Sequence, residues 1–313
     1  MNCEFCNSPS TQIYEVQLGS HRSGMQRCPV CLSCQSDPLF SESQVEDFYR
    51  TQYFSRQDWQ VAKAKLAAAD YFKKISRKVA PLKMNRALEI GSGYGFFTKL
   101  VLEQHPDCQM DVVEPSEDCR NFMKEHLPKI HSLNLTLDAV PEQSSYDAVF
   151  CFHTVEHFQR LGSFLESLKT RVRTGGRIFI LTPNAASRSF RRLGIRWGWT
   201  CSQEHFQFLS IGIPDSFYRR HGFNLVMAKD TCPATIQFPS YWMAKLQGLK
   251  FHTRRLLSES SLIARMVSHL CDACVNQLLQ NKSSSKLLVI EKVWASTFRF
   301  GQKDELFLIL EKM

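Results

Sequence analysis

Three glycines alternate in residues 91–95, GSGYG, directly after a short apolar stretch of residues 87–90. Glycine at such a strand-to-helix turn lets the backbone approach a ligand without a Cβ in the way. The third glycine comes one residue earlier than in the dinucleotide fingerprint Gly-x-Gly-x-x-Gly, and a carboxylate, Glu89, lies beside the turn. A carboxylate suits a cationic ligand better than a diphosphate. The segment therefore favours S-adenosylmethionine over NAD, and a tight turn that binds nothing is the alternative.

A second apolar segment, residues 110–113, ends in another acidic residue, Glu114. Glu114 follows Gly91 by 23 residues, which is close to the separation of about 20 at which an acid after the second strand meets ribose hydroxyls. A solvated turn residue is the alternative. The pair of features together indicates a nucleoside-containing ligand at the ends of two strands.

Five of the twelve cysteines lie within the first 34 residues. Cys3 and Cys6, and then Cys28 and Cys31, form two pairs with two residues between the members, and 21 residues separate the pairs. This spacing matches a zinc ribbon, in which four thiolates hold one tetrahedral ion. Cys34 lies equally far from Cys31, so Cys31 and Cys34 could form the second pair instead. We expect one structural zinc ion.

Apolar segments alternate with helical patterns through the middle of the chain. Strands are predicted at residues 87–90, 109–114, 131–135, 146–152, 177–182, 223–229 and 305–311. Helices are predicted at residues 96–104, 117–126, 161–172 and 213–221, and residues 45–79 are largely helical by pattern. Such alternation indicates a parallel sheet with right-handed crossovers, whose ligands sit at the carboxyl ends of the strands.

The segments ALEIGSGYG, DVVEPS, YDAVFCFHTVEH and RTGGRIFILTPN follow one another in this order. Together they resemble the successive motifs of class I S-adenosylmethionine-dependent methyltransferases, specifically the methyltransferase-23-like group that includes relatives of the ubiquinone-biosynthesis O-methyltransferases. The resemblance covers roughly residues 45–230. It implies an α/β fold: a Rossmann-like, seven-stranded, mostly parallel sheet with flanking helices.

The resemblance also implies which residues bind S-adenosylmethionine. They lie in the glycine loop, at the end of the second strand, in the loop before the fourth strand and at the end of that strand. The predicted set is Glu89, Gly91, Ser92, Gly93, Tyr94, Gly95, Glu114, Pro115, Asp138, Ala139, Phe152 and His153. Within it, His153 is expected to shape the methionine pocket.

Methyl transfer from a sulfonium is an in-line displacement, so the protein must align donor and acceptor and remove a proton where the acceptor is a hydroxyl. Histidine is the natural base near neutral pH. The pairs Glu156-His157 and Glu204-His205 recur in the resembling family near the mouth of the active site. We predict His157 and His205 as catalytic residues, with hydrogen-bonded structural imidazoles as the alternative.

A second metal is another reading of the same region. His153, Glu156, His157 and His205 could hold a divalent ion that grips a diol, similar to the small-RNA 2′-O-methyltransferases. Their pattern is Glu-x-x-Glu-His plus a later histidine, and His153 stands where their first glutamate would be.

The amino-terminal region resembles the zinc-binding leader found on many of these methyltransferases. The resemblance runs through Asp37-Pro38 and residues 47–49 to residues 53–54. In that leader the last ligand stands about seven residues before the proline, as Cys31 stands before Pro38, so it implies Cys3, Cys6, Cys28 and Cys31 as ligands. Leu32 occupies a position where the leader usually has glycine.

The composition is that of an ordinary globular protein, with 43% apolar and 22% charged residues and a formal charge of +9. Lysine and arginine are scattered, which favours a solvated basic surface over a nucleic-acid interface. The amino terminus lacks a basic-then-apolar signal pattern, and no long apolar window occurs, so a cytoplasmic location is expected.

Three regions are predicted: a zinc-ribbon-like module (1–40), a methyltransferase core (41–235), and a carboxyl-terminal part (236–313) with a helical insertion and a closing strand. Residues 236–281 are helical by pattern and would form a cap over the active site or a homodimer face; a membrane-surface helix is less favoured.

The leading functional hypothesis is methyl transfer to a small-molecule substrate or a sugar-containing biosynthetic intermediate. An RNA methyltransferase is the second hypothesis, because a zinc ribbon and scattered basic residues also suit RNA. A binding protein that keeps the fold without turnover is the third.

Overall fold

The computed structural model describes residues 1–18, 20–51, 58–79, 83–194, 197–201, 204–231 and 304–313. The predicted helical insertion at residues 236–281 lies outside these residues.

The described residues contain eleven strands. They are β1 (Thr11–Leu18), β2 (His21–Arg27), β3 (Cys34–Asp37), β4 (Arg86–Ile90), β5 (Gln109–Val113), β6 (Ser132–Asn134), β7 (Tyr146–Phe152), β8 (Val172–Pro183), β9 (Gln207–Phe208), β10 (Phe223–Thr231) and β11 (Glu305–Lys312). The α-helices of the same residues are α1 (Glu42–Thr51), α2 (Asp58–Val79), α3 (Phe96–Gln104), α4 (Glu117–His126), α5 (Leu161–Lys169), α6 (Arg188–Leu193) and α7 (Asp215–Arg220). Two 3₁₀ helices, Val155–His157 and Gly198–Cys201, follow β7 and α6 respectively.

Seven strands form the large sheet, in the order β10-β11-β8-β7-β4-β5-β6. The pairings among β8, β7, β4, β5 and β6 are parallel, whereas β11 is antiparallel to both β8 and β10. The predicted seven-stranded, mostly parallel sheet is therefore confirmed.

Two boundaries differ from the sequence-based expectation around β8. The strand starts at Val172 instead of 177, and the preceding helix ends at Lys169 instead of 172. The reason is a bulge: the β7–β8 register passes from Tyr146–Val172 to Ala148–Arg177. The Gly175-Gly176 segment, predicted as a turn before the strand, therefore lies within it.

Alternate residues of the central strands pack on opposite faces of the sheet, as the two-residue period of a strand requires. On one face, Leu88, Val149 and Ile178 pack with α5 and α7. On the other face, Ala87 and Phe150 pack with residues of α2 and α3. The strand β4 is thus covered on both sides, which fixes the loop that follows it.

A second, four-stranded antiparallel sheet has the order β1-β2-β3-β9. Its first three strands come from the amino-terminal 37 residues, and the fourth comes from the segment after β8. Residues 1–40 therefore share a sheet with a strand of the methyltransferase core.

Candidate active site

The glycine loop leaves an open space at Gly93. The three loop glycines all have positive φ, and that of Gly93 is +55°. A Cβ on Gly91 would collide with Thr154, and one on Gly95 would come within 2.7 Å of Leu127. A Cβ on Gly93 would meet no heavy atom of the described residues within 4 Å. Gly91 and Gly95 therefore serve internal packing, and Gly93 borders a space that a ligand can enter.

Glu114 follows β5 and fastens the glycine loop. Its two carboxylate oxygens accept hydrogen bonds from the backbone N–H groups of Gly93 (2.7 Å) and Ser116 (2.8 Å). Burial raises the pKa of Glu114 to about 7. Each carboxylate oxygen has a further lone pair, so Glu114 could still accept hydroxyl groups beside Gly93.

Glu89 is buried at the end of β4, where its carboxylate accepts a hydrogen bond from the hydroxyl of Thr98 in α3. Burial raises the pKa of Glu89 to about 8. A nearby cation would favour the ionised form of this carboxylate.

The other predicted donor-binding residues surround the same edge. The hydroxyl of Ser92 contacts the sulfur of Met123, and Pro115 lies between Glu114 and the start of α4. Asp138 and Ala139 are exposed in the loop after β6. The remaining two are packed on aromatic neighbours: Tyr94 on Phe122 at 5.2 Å and Phe152 on Phe97 at 4.9 Å between ring centroids.

His153 is held in a network of carboxylates. Its Nε2 lies 2.9 Å from a carboxylate oxygen of Glu305 in β11, and its Nδ1 lies 3.5 Å from Oε1 of Glu156. Its ring stacks on Trp199, with centroids 4.7 Å apart. Burial opposes the imidazolium, yet Glu156 and Glu305 raise the pKa of His153 to about 9. Both ring nitrogens thus face protein carboxylates.

His157 and His205 come together although 48 residues separate them in the chain. Their ring centroids are 4.9 Å apart, in an edge-to-face arrangement. His157 belongs to the 3₁₀ helix after β7, and His205 lies two residues before β9. One ligand atom from each imidazole and one carboxylate oxygen of Glu156 all lie within 4.8 Å of one another. His153 is outside this group, so the four-residue arrangement considered above is reduced to three.

Hydrogen bonds fix the orientation of all three side chains. Nδ1 of His205 lies 2.7 Å from the carbonyl oxygen of Trp199, which can only accept, so Nδ1 carries the proton and Nε2 keeps its lone pair when the ring is neutral. The ring of His157 is hydrogen-bonded to the backbone of Glu204. Thr182 of β8 donates to Oε2 of Glu156 (3.0 Å), while the buried Oε1 is paired with Nδ1 of His153 at 3.5 Å.

The electrostatics of this group favour a neutral imidazole beside a carboxylate. Burial, followed by the nearby His205, lowers the pKa of His157 to about 4. Burial opposes ionisation of Glu156, yet the adjacent His153 lowers the pKa of the Glu156 carboxyl to about 2.

The four predicted zinc ligands also come together. The sulfurs of Cys3, Cys6, Cys28 and Cys31 lie within 4.8 Å of one another, with Cys3–Cys31 at 3.6 Å and Cys6–Cys28 at 3.4 Å. A tetrahedral zinc ion with Zn–S bonds of about 2.3 Å needs sulfurs about 3.8 Å apart, so the donor set fits zinc. Cys34 lies instead in β3, where it pairs with Phe208.

Each cysteine pair is followed by a residue in the left-handed conformation. Asn7, after Cys6, has φ of +58°, and Leu32, after Cys31, has φ of +65°. Glycine adopts this conformation without strain, which gives a physical reason for the glycine usual at the position of Leu32.

Sequence reasoning missed several residues of the site. Thr182 and Glu305 were assigned only to strands, and β9 was not predicted because two residues are too few to show a period. The sequence gives only weak signals for a role of these residues in the site. Trp199 lies in residues 184–212, which lack clear periodicity, and Glu305 stands at the start of a predicted strand.

The family assignment agrees with this geometry. Residues 56–228, more than half of the chain, match the family described as "Methyltransferase domain" (Methyltransf_23). The chain belongs to the class I S-adenosylmethionine-dependent methyltransferases. Its glycine loop and Glu114 occupy the carboxyl edge of the sheet, where open α/β folds bind their ligands.

Curated relatives of this methyltransferase differ in their substrates. The chain is 25% identical over 128 residues to a ubiquinone biosynthesis O-methyltransferase of Rickettsia conorii, covering 40% of this chain and 43% of the relative. It is 23% identical over 177 residues to a tRNA U34 carboxymethyltransferase of Syntrophotalea carbinolica, covering 54% of this chain and 55% of the relative. The chain thus spans about half the length of the curated relatives it matches.

Solved structures share the fold. The phosphoethanolamine N-methyltransferase 2 of Haemonchus contortus, in complex with phosphomonomethylethanolamine and S-adenosylhomocysteine, aligns with a TM-score of 0.54 at 13% identity. The alignment covers 96% of this chain and 71% of that protein. Another structure of that enzyme, with S-adenosyl-L-methionine bound, gives a TM-score of 0.52 at 14% identity, with the same shares of the two chains covered.

Within the described part of this methyltransferase, no helix has both the length and the apolar composition needed to cross a membrane.

Proposed function

We propose that this methyltransferase transfers the methyl group of S-adenosylmethionine to an oxygen of a small-molecule or sugar-containing biosynthetic intermediate. The observation that carries the proposal is the cluster of Glu156, His157 and His205, which is largely buried at the same sheet edge as the open space at Gly93. A largely buried cluster of polar side chains at this edge of the sheet suits a small acceptor group.

On the donor side, the chain supplies hydrogen-bonding groups and space. Gly93 leaves room for the donor, and Glu114, at the end of the neighbouring strand, offers carboxylate lone pairs for ribose hydroxyls. The sulfonium supplies the methyl group and leaves as a neutral thioether, so the donor needs no acid from the protein.

On the acceptor side, we assign proton removal to His205. Nδ1 of His205 donates its proton to the carbonyl oxygen of Trp199, which leaves the lone pair on Nε2. Nε2 can therefore take the hydroxyl proton as the acceptor oxygen attacks the methyl carbon. Burial lowers the pKa of His157 to about 4, which makes it a poor base near neutral pH, and we assign it to orienting the acceptor through a hydrogen bond.

A divalent cation is a second candidate role for the same cluster. Two imidazoles and one carboxylate form a common ligand set for divalent metals, and Glu156, His157 and His205 each offer a ligand atom within 4.8 Å of the others. The backbone contacts of both rings would fix their lone pairs, as the outer contacts of metal-bound histidines do. In this role the cation would orient an acceptor oxygen.

Manganese binding distinguishes the two roles. The signal of free Mn²⁺ is followed by electron paramagnetic resonance. The cation site would be supported if wild-type protein removes this signal and the His205→Ala variant does not. His131→Ala is the matched control, because His131 also faces a carboxylate, Asp111, but lies at the amino end of β6. If wild-type protein left the Mn²⁺ signal unchanged, the cation role would be abandoned.

RNA remains the second substrate class. The relative named as a tRNA carboxymethyltransferase favours it, and the formal charge of +9 is compatible with either class. Incubating purified protein and labelled S-adenosylmethionine with metabolite and RNA pools tests both classes. The proposal expects label in small molecules, lost with His205→Ala and retained with His131→Ala. Label found only in RNA would overturn the small-molecule assignment, and label in neither pool would count against transfer.

A further inference from the structure

The cysteine module and the acceptor-side cluster share the four-stranded sheet. Strand β3 pairs with β9, with Cys34 opposite Phe208 and Gln35 opposite Gln207. The N–H of Ser36 also donates to the carbonyl of Phe206 (2.8 Å). The strand next to His205 is therefore an edge strand that depends on the amino-terminal module for its pairing.

The second cysteine pair is fastened to the segment after β9. Ser210 is buried, and its hydroxyl donates to the carbonyl oxygen of Cys31. Ser33 donates to the Ser210 oxygen at 3.1 Å. At Gly212, a Cβ would lie 2.7 Å from the same Cys31 carbonyl, so the two backbones are in close contact. A shift of the Cys31 loop would thus be transmitted to residues 210–212.

Strand β9 in turn holds the helix that carries Glu156 and His157. The N–H of Phe206 donates to the carbonyl of Glu156 (2.9 Å), and the buried side-chain amide of Gln207 donates to the carbonyl of Val155 (2.9 Å). His205 immediately precedes these residues. The contacts therefore run without interruption from Cys31 through Ser210 and β9 to the cluster.

Glu4, which lies between the two cysteines of the first pair, also connects the cysteine module to the residues that follow His157. A carboxylate oxygen of Glu4 accepts a hydrogen bond from the N–H of Gly162 (2.7 Å), in the first turn of α5, shortly after His157 in the chain. The other oxygen accepts from the side chain of Gln35 in β3 (2.5 Å). The donor loop has different partners: Gly91 donates to Val113, and Gly93 to Glu114.

We propose that the metal-loaded cysteine module positions the acceptor-side residues His205, Glu156 and His157, and that Ser210 and Gln207 are the positioning residues that connect them. The relevance of this arrangement to catalysis rests on the proposed function. A metal held by four thiolates closes two distant loops, so removing it frees the Cys31 loop. Freeing the Cys31 loop should displace β9 and the cluster of Glu156, His157 and His205. The hydrogen bonds of the glycine loop should stay in place.

The test compares the full-length protein with zinc bound and after zinc is removed by a chelator. Zinc content is measured directly, donor binding by calorimetry, and the histidine rings by long-range nitrogen–proton magnetic resonance. We expect the signals of His157 and His205 to shift on zinc loss while those of His131 stay in place. Because the hydrogen bonds of the glycine loop run to Val113 and Glu114 and not to β9, the donor dissociation constant should change by no more than about twofold.

Three outcomes would overturn the proposal. In the first, the His157 and His205 signals stay unchanged after complete loss of zinc. In the second, all histidine signals and donor binding are lost together, which would make the metal a requirement of the whole fold. In the third, protein purified without chelator contains no zinc.

A second variant tests the connection with the metal still in place. In Ser210→Ala the bond to Cys31 is absent, and we expect normal zinc content with shifted His157 and His205 signals. Ser144→Ala is the matched control, because Ser144 is also buried and its hydroxyl donates to a backbone carbonyl, that of Pro141, near the opposite edge of the sheet. Unchanged histidine signals in Ser210→Ala would contradict the role of Ser210.

The histidine signals and the zinc content test the coupling of the cysteine module to the cluster independently of the proposed function. The histidine signals and the zinc content need no acceptor, so they can support the coupling even if the substrate screen finds no acceptor. Conversely, methyl transfer by zinc-free protein at the normal rate would leave the function intact and reject the coupling.

Discussion

The two sides of the proposed active site are built in different ways. On the donor side the contacts are short in sequence: Gly91 bonds to Val113 and Gly93 to Glu114, across one crossover between neighbouring strands. On the acceptor side, Cys31 contacts Ser210, 179 residues away, and His157 contacts His205, 48 positions away. The donor side is formed by consecutive strand-to-helix turns. The acceptor side is formed by contacts between residues far apart in the chain.

This difference implies that the two sides respond differently to change. A substitution in the glycine loop should affect donor binding and thermal stability and leave the acceptor-side residues in place, because the hydrogen-bond partners of the loop are local. A substitution on the acceptor side should affect turnover, and it should respond to events in the cysteine module. The predictions below test this separation.

The largest effect is expected for His205→Ala. Removal of a general base typically lowers the rate by about 10²- to 10⁴-fold, while the donor dissociation constant should stay nearly constant because His205 lies on the acceptor side. Single-turnover rates on the identified acceptor, with calorimetry for the donor, measure both quantities. With His131→Ala as control, a rate loss of only a few-fold for His205→Ala would assign His205 a packing role.

An intermediate effect is expected for Gly93→Val. The new side chain enters the open space beside the loop, and overpacking of about 1–3 kcal/mol corresponds to a loss of about 5- to 150-fold in donor affinity. Gly175→Val is the matched control, since Gly175 also has a positive φ, +73°, but lies near the amino end of β8.

Both glycine variants should lose thermal stability, because valine is strained at positive φ. Only Gly93→Val should lose donor affinity. Equal donor affinity in the two variants would remove Gly93 from the donor site.

The smallest effect is a pH dependence that comes from Glu114. Burial raises the pKa of Glu114 to about 7, so the carboxylate ionises between pH 6 and 8 and becomes a better acceptor for hydroxyl groups. One added hydrogen bond corresponds to a gain of about 2- to 10-fold in donor affinity over this range. In Glu114→Gln the part of the pH dependence due to this group should disappear. An identical pH profile in the variant would contradict the assignment.

The same pKa has a consequence for stability. Because the folded-state value lies above the ordinary 4.5, the folded protein binds this proton more tightly than the unfolded chain does. The contribution of Glu114 to the free energy of unfolding is therefore greatest below pH 4.5 and declines as the pH rises toward 7. Differential scanning calorimetry on the wild type and Glu114→Gln measures this trend.

Sequence patterns predicted the strands and helices around the glycine loop well, for a physical reason. The strand at 87–90, the helix at 96–104 and the helix at 117–126 each follow from local periodicity and end signals, and the structure has them within a residue. Glu89 and Glu114 occupy the predicted strand ends. Periodicity did not reveal that Gly93 differs from Gly91 and Gly95, because that depends on Thr154 and Leu127, which pack against the loop.

The acceptor side was predicted only in part. The residue types of His157 and His205 indicated a catalytic role. Their contact depends on the pairing of β3 with β9, and a strand of two residues such as β9 is too short to be predicted from periodicity. The cysteine spacing identified the four sulfurs that meet. It carried no information about Ser210, whose contact with Cys31 spans 179 residues.

The central claim is that the space bordered by Gly93 and Glu114 binds the methyl donor. Calorimetric titration of the full-length protein with S-adenosylmethionine, and separately with NAD, tests it most directly. The account predicts one S-adenosylmethionine per chain, displaced by S-adenosylhomocysteine and weakened in Gly93→Val, and no heat from NAD. Absence of S-adenosylmethionine binding, or binding that Gly93→Val leaves unchanged, would contradict it.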